Sequence, residues 1–457
     1  MNYELLFGEL RDRRIRVALT GANGGFGRTF LAQCRRAPSV DVAVLCDRDI
    51  DGLRATLLEL GFPAAGLRTC ASEADVRDVG NGIALVADAR LLEHARHDIV
   101  IEATGAPETS VAIAEAALRR RVHVGMVSKE TDSVVGPWLN RMARDHGVVY
   151  TTVDGDQPAG LIGLVSWARV LGFEVVCAGK ASEHDFVHDA RRGVVTHAGV
   201  SRTVPGLEDL WTIGADVAST LEARRRALRA FPLSATPDYC EMNVVSNSTG
   251  LAPSCDTLHY PMCRTPELAD VFVPVEDGGI LARPGVVDVF NPLRRSDEAS
   301  FGGGVFVIVR CTDRAVWKLL ADKGHVVGRS GNYACIYQPF HLMGLESLTS
   351  VYSAVLHGRP SGSATQRTNA LMVARATRDL RAGETLAMGG HMHEMEGVAA
   401  RLVPAPQAQG AAPYYLAANK TLSRAVPCGT DVPVAALALE GSALARAWEQ
   451  MMINNTA

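Results

Sequence analysis

Apolar runs too short for helices alternate with amphipathic stretches along the first third of the chain. Ile15–Leu19 (IRVAL) and Val40–Cys46 (VDVAVLC) are continuous apolar runs bounded by turn residues. That is the pattern of strands buried on both faces. Between them, Thr29–Arg36 spaces its apolar positions as a helix does. The alternation continues through a strand over Asp98–Ala103, a helix from Pro107 to Arg120 and a strand over Val122–Val127. A helix over Gly136–His146 and a strand over Val148–Val153 follow. Pro107 suits the first turn of a helix, where its missing N–H costs nothing. Such alternation predicts an α/β fold: a parallel sheet with helices on both faces and its ligands at the carboxyl ends of the strands.

The first strand runs directly into TGANGGFGRTF. Gly21, Gly24 and Gly27 hold the positions of a dinucleotide-binding turn whose spacing is stretched by one residue. A pyrophosphate needs a tight turn, close backbone approach and a helix N-terminus facing its charge. The glycine spacing is weak by itself, and the strand before it and helix after it make it specific. The expectation is a Rossmann-type doubly wound sheet that binds NADP or NAD through Gly21, Asn23, Gly24, Gly25, Phe26 and Gly27. Asp47 ends the second strand about 20 residues past the last glycine, where a carboxylate binds a ribose 2′-hydroxyl. Its alternative is to cap a helix starting near Asp51. The neighbouring Arg48 would hold a 2′-phosphate instead, so NAD and NADP both stay open. Thr104, Gly105, Ser128 and Glu130 fall at later strand ends and are further candidate cofactor contacts.

The chain has 457 residues, room for two or three domains. Its net charge of −4 is spread without long blocks of one sign, which argues against a nucleic-acid partner. Arg224–Arg226 reads as a solvated helix face. No apolar stretch approaches the roughly 20 residues that span a bilayer, so no membrane partner is expected. The first residues lack the apolar core of a signal peptide. Ten cysteines with no C-x-x-C pair point to free thiols and a cytoplasmic location. No Ser-His-Asp or reactive-cysteine motif stands out. His184 and His188 could share a helix face at i,i+4 spacing, a weak metal signal beside the preferred reading of a solvated or phosphate-facing segment. His391 and His393 do not form an H-E-x-x-H pattern. PAPQAQGAAP, Pro404–Pro413, reads as a long surface loop.

Several segments resemble known enzymes. IEATG (Ile101–Gly105) is similar to a strand end of homoserine dehydrogenases. VSKETDSVVG and VDGDQPAGL resemble two signatures of deoxyxylulose phosphate reductoisomerase, a lysine-glutamate pair and an acidic metal motif. Lys129 and Glu130 match the first, Asp154 and Asp156 the second, while Gly155 and Gln157 replace the usual serine and histidine. AGKASE (Ala178–Glu183), CEMNVVSNSTGLAP (Cys240–Pro253), YQPFHLMGLESLTSVYSAVLHG (Tyr337–Gly358) and VARATRDLRAGETL (Val373–Leu386) resemble a closer group, the deoxyxylulose phosphate reductoisomerase-like (DRL) family. The family pairs a homoserine-dehydrogenase-like body with a C-terminal SAF-type module.

The resemblance implies three parts: an NAD(P)-binding domain over 1–155, an α+β catalytic and dimerisation domain over 156–360, and a β-rich SAF-like module over 361–457 ending in a helix. It also implies a homodimer and a small, phosphorylated polyhydroxy carbonyl substrate. Reductive isomerisation would use Mg or Mn held by Asp154, Asp156 and Glu241, with Lys180 and Lys129 as proton donors or electrostatic stabilisers. The plainer alternatives are N-capping by Asp154 and Asp156, a buried Glu241 paired with an arginine, and a solvated strand-end Lys180. Two other functions remain: simple hydride transfer of the homoserine dehydrogenase type, centred on Lys180 and an acidic neighbour, and a nucleotide-sensing protein without catalysis.

Overall fold

A computed structural model describes residues 2–390 and 392–455, so His391 lies outside the described residues. The chain divides into two compact units that interleave along the sequence. The first comprises Met1–Ala159, Leu342–Arg367 and Ala438–Ala457, the second Gly160–His341 and Thr368–Leu437. The three-part reading ran in chain order; here two later segments return to the first unit.

The first unit is built on seven strands: β1 (Ile15–Thr20), β2 (Val40–Cys46), β3 (Leu67–Thr69), β4 (Ile83–Val86), β5 (Ile99–Glu102), β6 (His123–Met126) and β7 (Tyr150–Thr152). All pair in parallel, in the order β3-β4-β2-β1-β5-β6-β7. The order reverses between β1 and β5, which creates the crevice where such sheets take their ligands. Its main helices are α1 (Gly25–Cys34), α2 (Ile50–Glu59), α3 (Pro107–Arg119) and α4 (Lys129–Asp145). The doubly wound sheet is therefore as expected. Two helices begin earlier than the apolar pattern suggested. The first starts at Gly25 rather than Thr29, and the fourth at Lys129 rather than Gly136, carrying Pro137 in its interior.

The returning segments have a physical reason. Helix Leu348–His357 puts Leu348, Val351, Ala354 and Val355 into the same apolar cluster as Ile15, Val17, Leu19 and Leu31. Helix Ala443–Asn455 packs on α3 and α4, and Ser442 Oγ donates to Glu108 Oε1 at 2.5 Å. Burying each such aliphatic side chain is worth about 1.5–3 kcal/mol, enough to fix these helices on the sheet.

The unit boundary falls inside α5 (Gln157–Val170). In the second unit a mixed sheet follows the order β11-β10-β9-β14-β8-β15-β16. Its strands are β8 (Val175–Ala181), β9 (Phe186–Asp189), β10 (Val194–His197), β11 (Val200–Thr203), β14 (Val286–Arg295), β15 (Val305–Arg310) and β16 (Tyr333–Gln338). Two short strands, β12 (Ala252–Pro253) and β13 (Met262–Cys263), pair with β14. Helices α6 (Val217–Leu228) and α7 (Thr236–Thr249) complete this part. A four-stranded antiparallel sheet, β17 (Ala370–Ala376), β20 (Val398–Pro404), β19 (Glu394–Met395) and β18 (Met388–Gly389), is formed by the later residues.

Three expectations are corrected here. His188 lies on β9, so His184 and His188 share no helix face. Arg224 is not solvated: it is fully buried on α6, and its guanidinium grips Glu267 through two nitrogens, at 2.7 and 2.9 Å. The stretch from Pro404 to Pro413 is not a free surface loop, because Ala408, Ala411 and Ala412 are buried. All ten cysteines are free thiols. No helix among the described residues is long and apolar enough to cross a membrane.

Candidate active site

The first unit carries the glycine turn at the β1/β5 reversal. Gly21 has φ +63°, and a Cβ there would overlap the carbonyl of Ala103, the residue just past β5. A Cβ on Gly27 would come within 2.5 Å of the Ala22 carbonyl oxygen. Both glycines are thus required by close backbone approach. Gly24 is the N-cap of α1 and no side chain caps that helix, which leaves N–H groups of its first turn for a phosphate. Asp47 accepts from the N–H of Asn23 at 2.8 Å and of Asp49 at 3.0 Å. The capping role belongs to Asp49, which accepts from Gly52 N and starts α2. Asn23 is further fixed by Asp49 and Thr56. Gly25, Phe26 and Gly27 form the first turn of α1, and Arg48 is exposed beside Asp47. These residues fit a dinucleotide.

At the ends of β5 and β6 a second group gathers. Buried Glu102 accepts from Thr20 Oγ1 (3.2 Å), Thr104 Oγ1 (2.6 Å), Thr104 N (3.0 Å) and Ser110 Oγ (2.6 Å). Gly105 N donates to Ser128 Oγ at 2.9 Å. Glu130 is buried, and desolvation pushes its carboxyl up to about 7 against the pull of Lys129. Lys129 Nζ lies 3.7 Å from Asp156 Oδ1.

Asp154 and Asp156, proposed as metal ligands, are already engaged. Asp154 Oδ2 accepts from Thr349 Oγ1 (2.6 Å) and Ser361 Oγ (3.0 Å), and its backbone bonds Ser350 and Ser347. Asp156 Oδ1 accepts from Gln157 N at 2.9 Å at the start of α5 and faces Lys129.

In the second unit, Lys180 is not the solvated strand-end lysine of its plainer alternative. It is 2 % exposed on β8, and Nζ donates to Asp238 Oδ1 at 2.6 Å and to Glu241 Oε2. Asp238 and Glu241 are three residues apart on α7, so they share one face. Tyr260 O–H donates to Asp238 Oδ2 at 3.0 Å. Burial opposes the lysine's charge, yet the two carboxylates outweigh it and hold the ammonium above its ordinary range. Burial raises the Asp238 carboxyl, and Glu241 adds to that while Lys180 opposes it. Glu241 is indeed a buried, paired carboxylate, with lysine rather than arginine as partner.

Of the proposed metal set, Asp154 and Asp156 belong to the first unit and Glu241 to the second. Two hydroxyls hold Asp154, and a lysine faces each of the other two. No group of three or more His, Cys, Asp or Glu suited to a metal occurs among the described residues. Reading the sequence missed Asp238, Tyr260 and Glu102. The i,i+3 spacing of Asp238 and Glu241 in PDYCEMN was the available signal; Tyr260 and Glu102 join their sites only through folding.

A doubly wound α/β fold of the dinucleotide-binding type is what the parallel sheet and its glycine turn define. Residues 155–347 match the family model described as "Oxidoreductase DRL, catalytic domain". The kinship with the DRL family seen in the sequence is borne out over that stretch, which does not include the region expected to form a SAF module. No curated protein matches the chain. Among solved structures, dihydrodipicolinate reductase from Paenisporosarcina sp. TG-14 is 13% identical, with 76% of this chain and 97% of that one covered, at a TM-score of 0.37. A hyperthermophilic archaeal homoserine dehydrogenase in complex with NADPH is 12% identical, covering 75% and 98%, at 0.37. The 1-deoxy-D-xylulose 5-phosphate reductoisomerase from Zymomonas mobilis is 16% identical, covering 51% and 58%, at 0.31. At these scores the likenesses carry no inference about chemistry.

Proposed function

We propose that this chain is an NAD(P)-dependent oxidoreductase that moves hydride between a nicotinamide and the carbonyl carbon of a small polyhydroxy carbonyl compound. The observation that carries the reading is the buried ammonium of Lys180, held charged by Asp238 and Glu241. The glycine turn supports the cofactor half. The nicotinamide supplies or accepts the hydride. As hydride reaches a carbonyl carbon, negative charge grows on its oxygen. A desolvated ammonium stabilises that charge and gives up a proton to it. Asp238 and Glu241 keep the amine oriented and return its charge preference afterwards, and Tyr260 fixes Asp238. This step needs no chelation of two neighbouring substrate oxygens, so metal dependence separates simple hydride transfer from reductive isomerisation. The homodimer, the SAF-type module and the cytoplasmic location belong to this proposal through family resemblance and free thiols alone.

Titration with NAD, NADH, NADP and NADPH tests the cofactor half, and failure to bind any of the four would end it. Turnover of hydroxy-carbonyl substrates, homoserine and deoxyxylulose phosphate among them, is then followed with and without chelator. Activity retained in chelator and lost in Lys180→Ala is expected. Strict dependence on Mg or Mn with deoxyxylulose phosphate would replace this reading with reductoisomerisation.

A further inference from the structure

The first unit has a cavity of about 570 Å³ at the edge of its sheet opposite the glycine turn. That volume lies within the range of small-molecule sites. The cavity sits at the amino ends of β1, β2 and β4, where Arg16, Val40 and Ile83 line it. These strands run in parallel, so the glycine turn lies at their other end. The stretch from Arg16 to Gly21 separates the two places by roughly 16 Å, at about 3.3 Å per residue. Helix α1 runs between the same two places, with Gly25 at the turn and Cys34 in the cavity wall.

Three arginines line the cavity: Arg14, Arg16 and Arg35. Arg14 pairs with Asp41, which lines the cavity too. Arg16 and Arg35 are placed differently. Arg16 Nε donates to the Arg96 carbonyl at 2.9 Å, and Arg35 Nε to the Gly61 carbonyl at 3.1 Å. Each guanidinium is thus anchored through Nε, with Nη1 and Nη2 left over. Neither has a carboxylate partner among the described residues. The lining therefore carries positive charge that Asp41 does not cancel. Two cations around one recess repel each other, and an anion between them converts that repulsion into attraction. The Nη pair of a guanidinium matches two oxygens of a phosphate. Anchoring it beforehand lowers the entropy lost on binding. Phe62 and Cys34 are buried and give the cavity part of its wall.

We propose that this cavity binds a diphosphate group, one phosphate on the guanidinium of Arg16 and the other on that of Arg35. A diphosphate brings two phosphates within one small group, as two separate guanidinium forks require. The site is independent of the hydride-transfer reading, because its ligand is read out by binding and not by turnover.

Inorganic pyrophosphate is titrated calorimetrically into the full chain in magnesium-free buffer, and hydrogen exchange then maps where it binds. Saturable binding is expected, with new protection over residues 35–42 and 81–83. Arg16→Gln and Arg35→Gln are each expected to weaken it by roughly tenfold or more. ADP carries the same diphosphate on a nucleoside. With the same protection map, tighter binding of ADP than of pyrophosphate identifies a nucleotide as the ligand, and weaker binding a free diphosphate. Three results overturn the proposal: no binding at millimolar pyrophosphate, protection confined to residues 21–27, or succinate binding more tightly than pyrophosphate. Unchanged affinity in both folded variants overturns it as well. The protection map of the wild type decides the matter even where a variant fails to fold.

Discussion

Gly155 leaves no space for a side chain, because a Cβ there would overlap the carbonyl oxygen of Met343. Gly155 itself has φ +88°, and Met343 has φ +49°. The reductoisomerase signature that this stretch resembles has serine at the position of Gly155. The glycine is therefore tied to the seating of the 342–347 segment, which Gly344 N also fastens to Thr29 Oγ1 at 3.2 Å. Gly155→Ser is expected to unseat that segment at a cost of about 1–3 kcal/mol from backbone strain alone. Hydrogen exchange would show lost protection over residues 342–350; protection equal to wild type would refute the account.

Lys180 balances two buried carboxylates, so its removal has a structural cost apart from any chemical one. Lys180→Met should lower stability by about 3–5 kcal/mol and turnover by roughly 10²–10⁴-fold. Combining it with Asp238→Asn and Glu241→Gln removes the stranded charges. Denaturant titration should then recover most of the stability while turnover stays lost. Turnover that returned with stability would show that the cluster only holds the fold.

Glu130 gives stability a pH dependence of known sign. Its folded carboxyl titrates at about 7, above the ordinary 4.5. A group raised on folding contributes stability that is complete below its unfolded value and is lost as pH rises through the folded one. Stability should accordingly fall between pH values of about 4.5 and 7, and Glu130→Gln should flatten that part of the profile. An identical profile in the variant, measured by thermal unfolding across this range, would remove Glu130 as the cause.

Arg224 and Glu267 form a buried bidentate pair, and the guanidinium also donates to the carbonyls of Leu210, Trp211 and Met262. Glu267→Gln leaves the guanidinium buried without its counter-charge and should cost about 3–5 kcal/mol. Arg225→Ala, one position along the same helix, should change stability by no more than about 0.5 kcal/mol. Equal effects of the two, compared by urea unfolding, would mean that Arg224 acts as a solvated residue.

The nucleotide-binding half was largely legible in the sequence. Buried parallel strands are continuous apolar runs, so Val40–Cys46 could be read to the residue, and the glycine turn is a local backbone requirement written in adjacent positions. Helix starts were less legible. Gly25 and Lys129 begin helices with residues whose apolar pattern is weak, and neither helix start carries a side-chain cap to mark it.

What the sequence by itself determined was therefore local: strand periodicity, the turn that brings backbone close to a phosphate, and the spacing that puts Asp238 and Glu241 on one helix face. The tertiary structure alone decided the rest. It buried Lys180 between those carboxylates, engaged Asp154 with the hydroxyls of Thr349 and Ser361, and joined His259 to Asp288 across 29 positions. Charge state depends on which partners enclose a side chain and how much water they exclude. Those partners come from distant segments, and no pattern along the chain records their meeting.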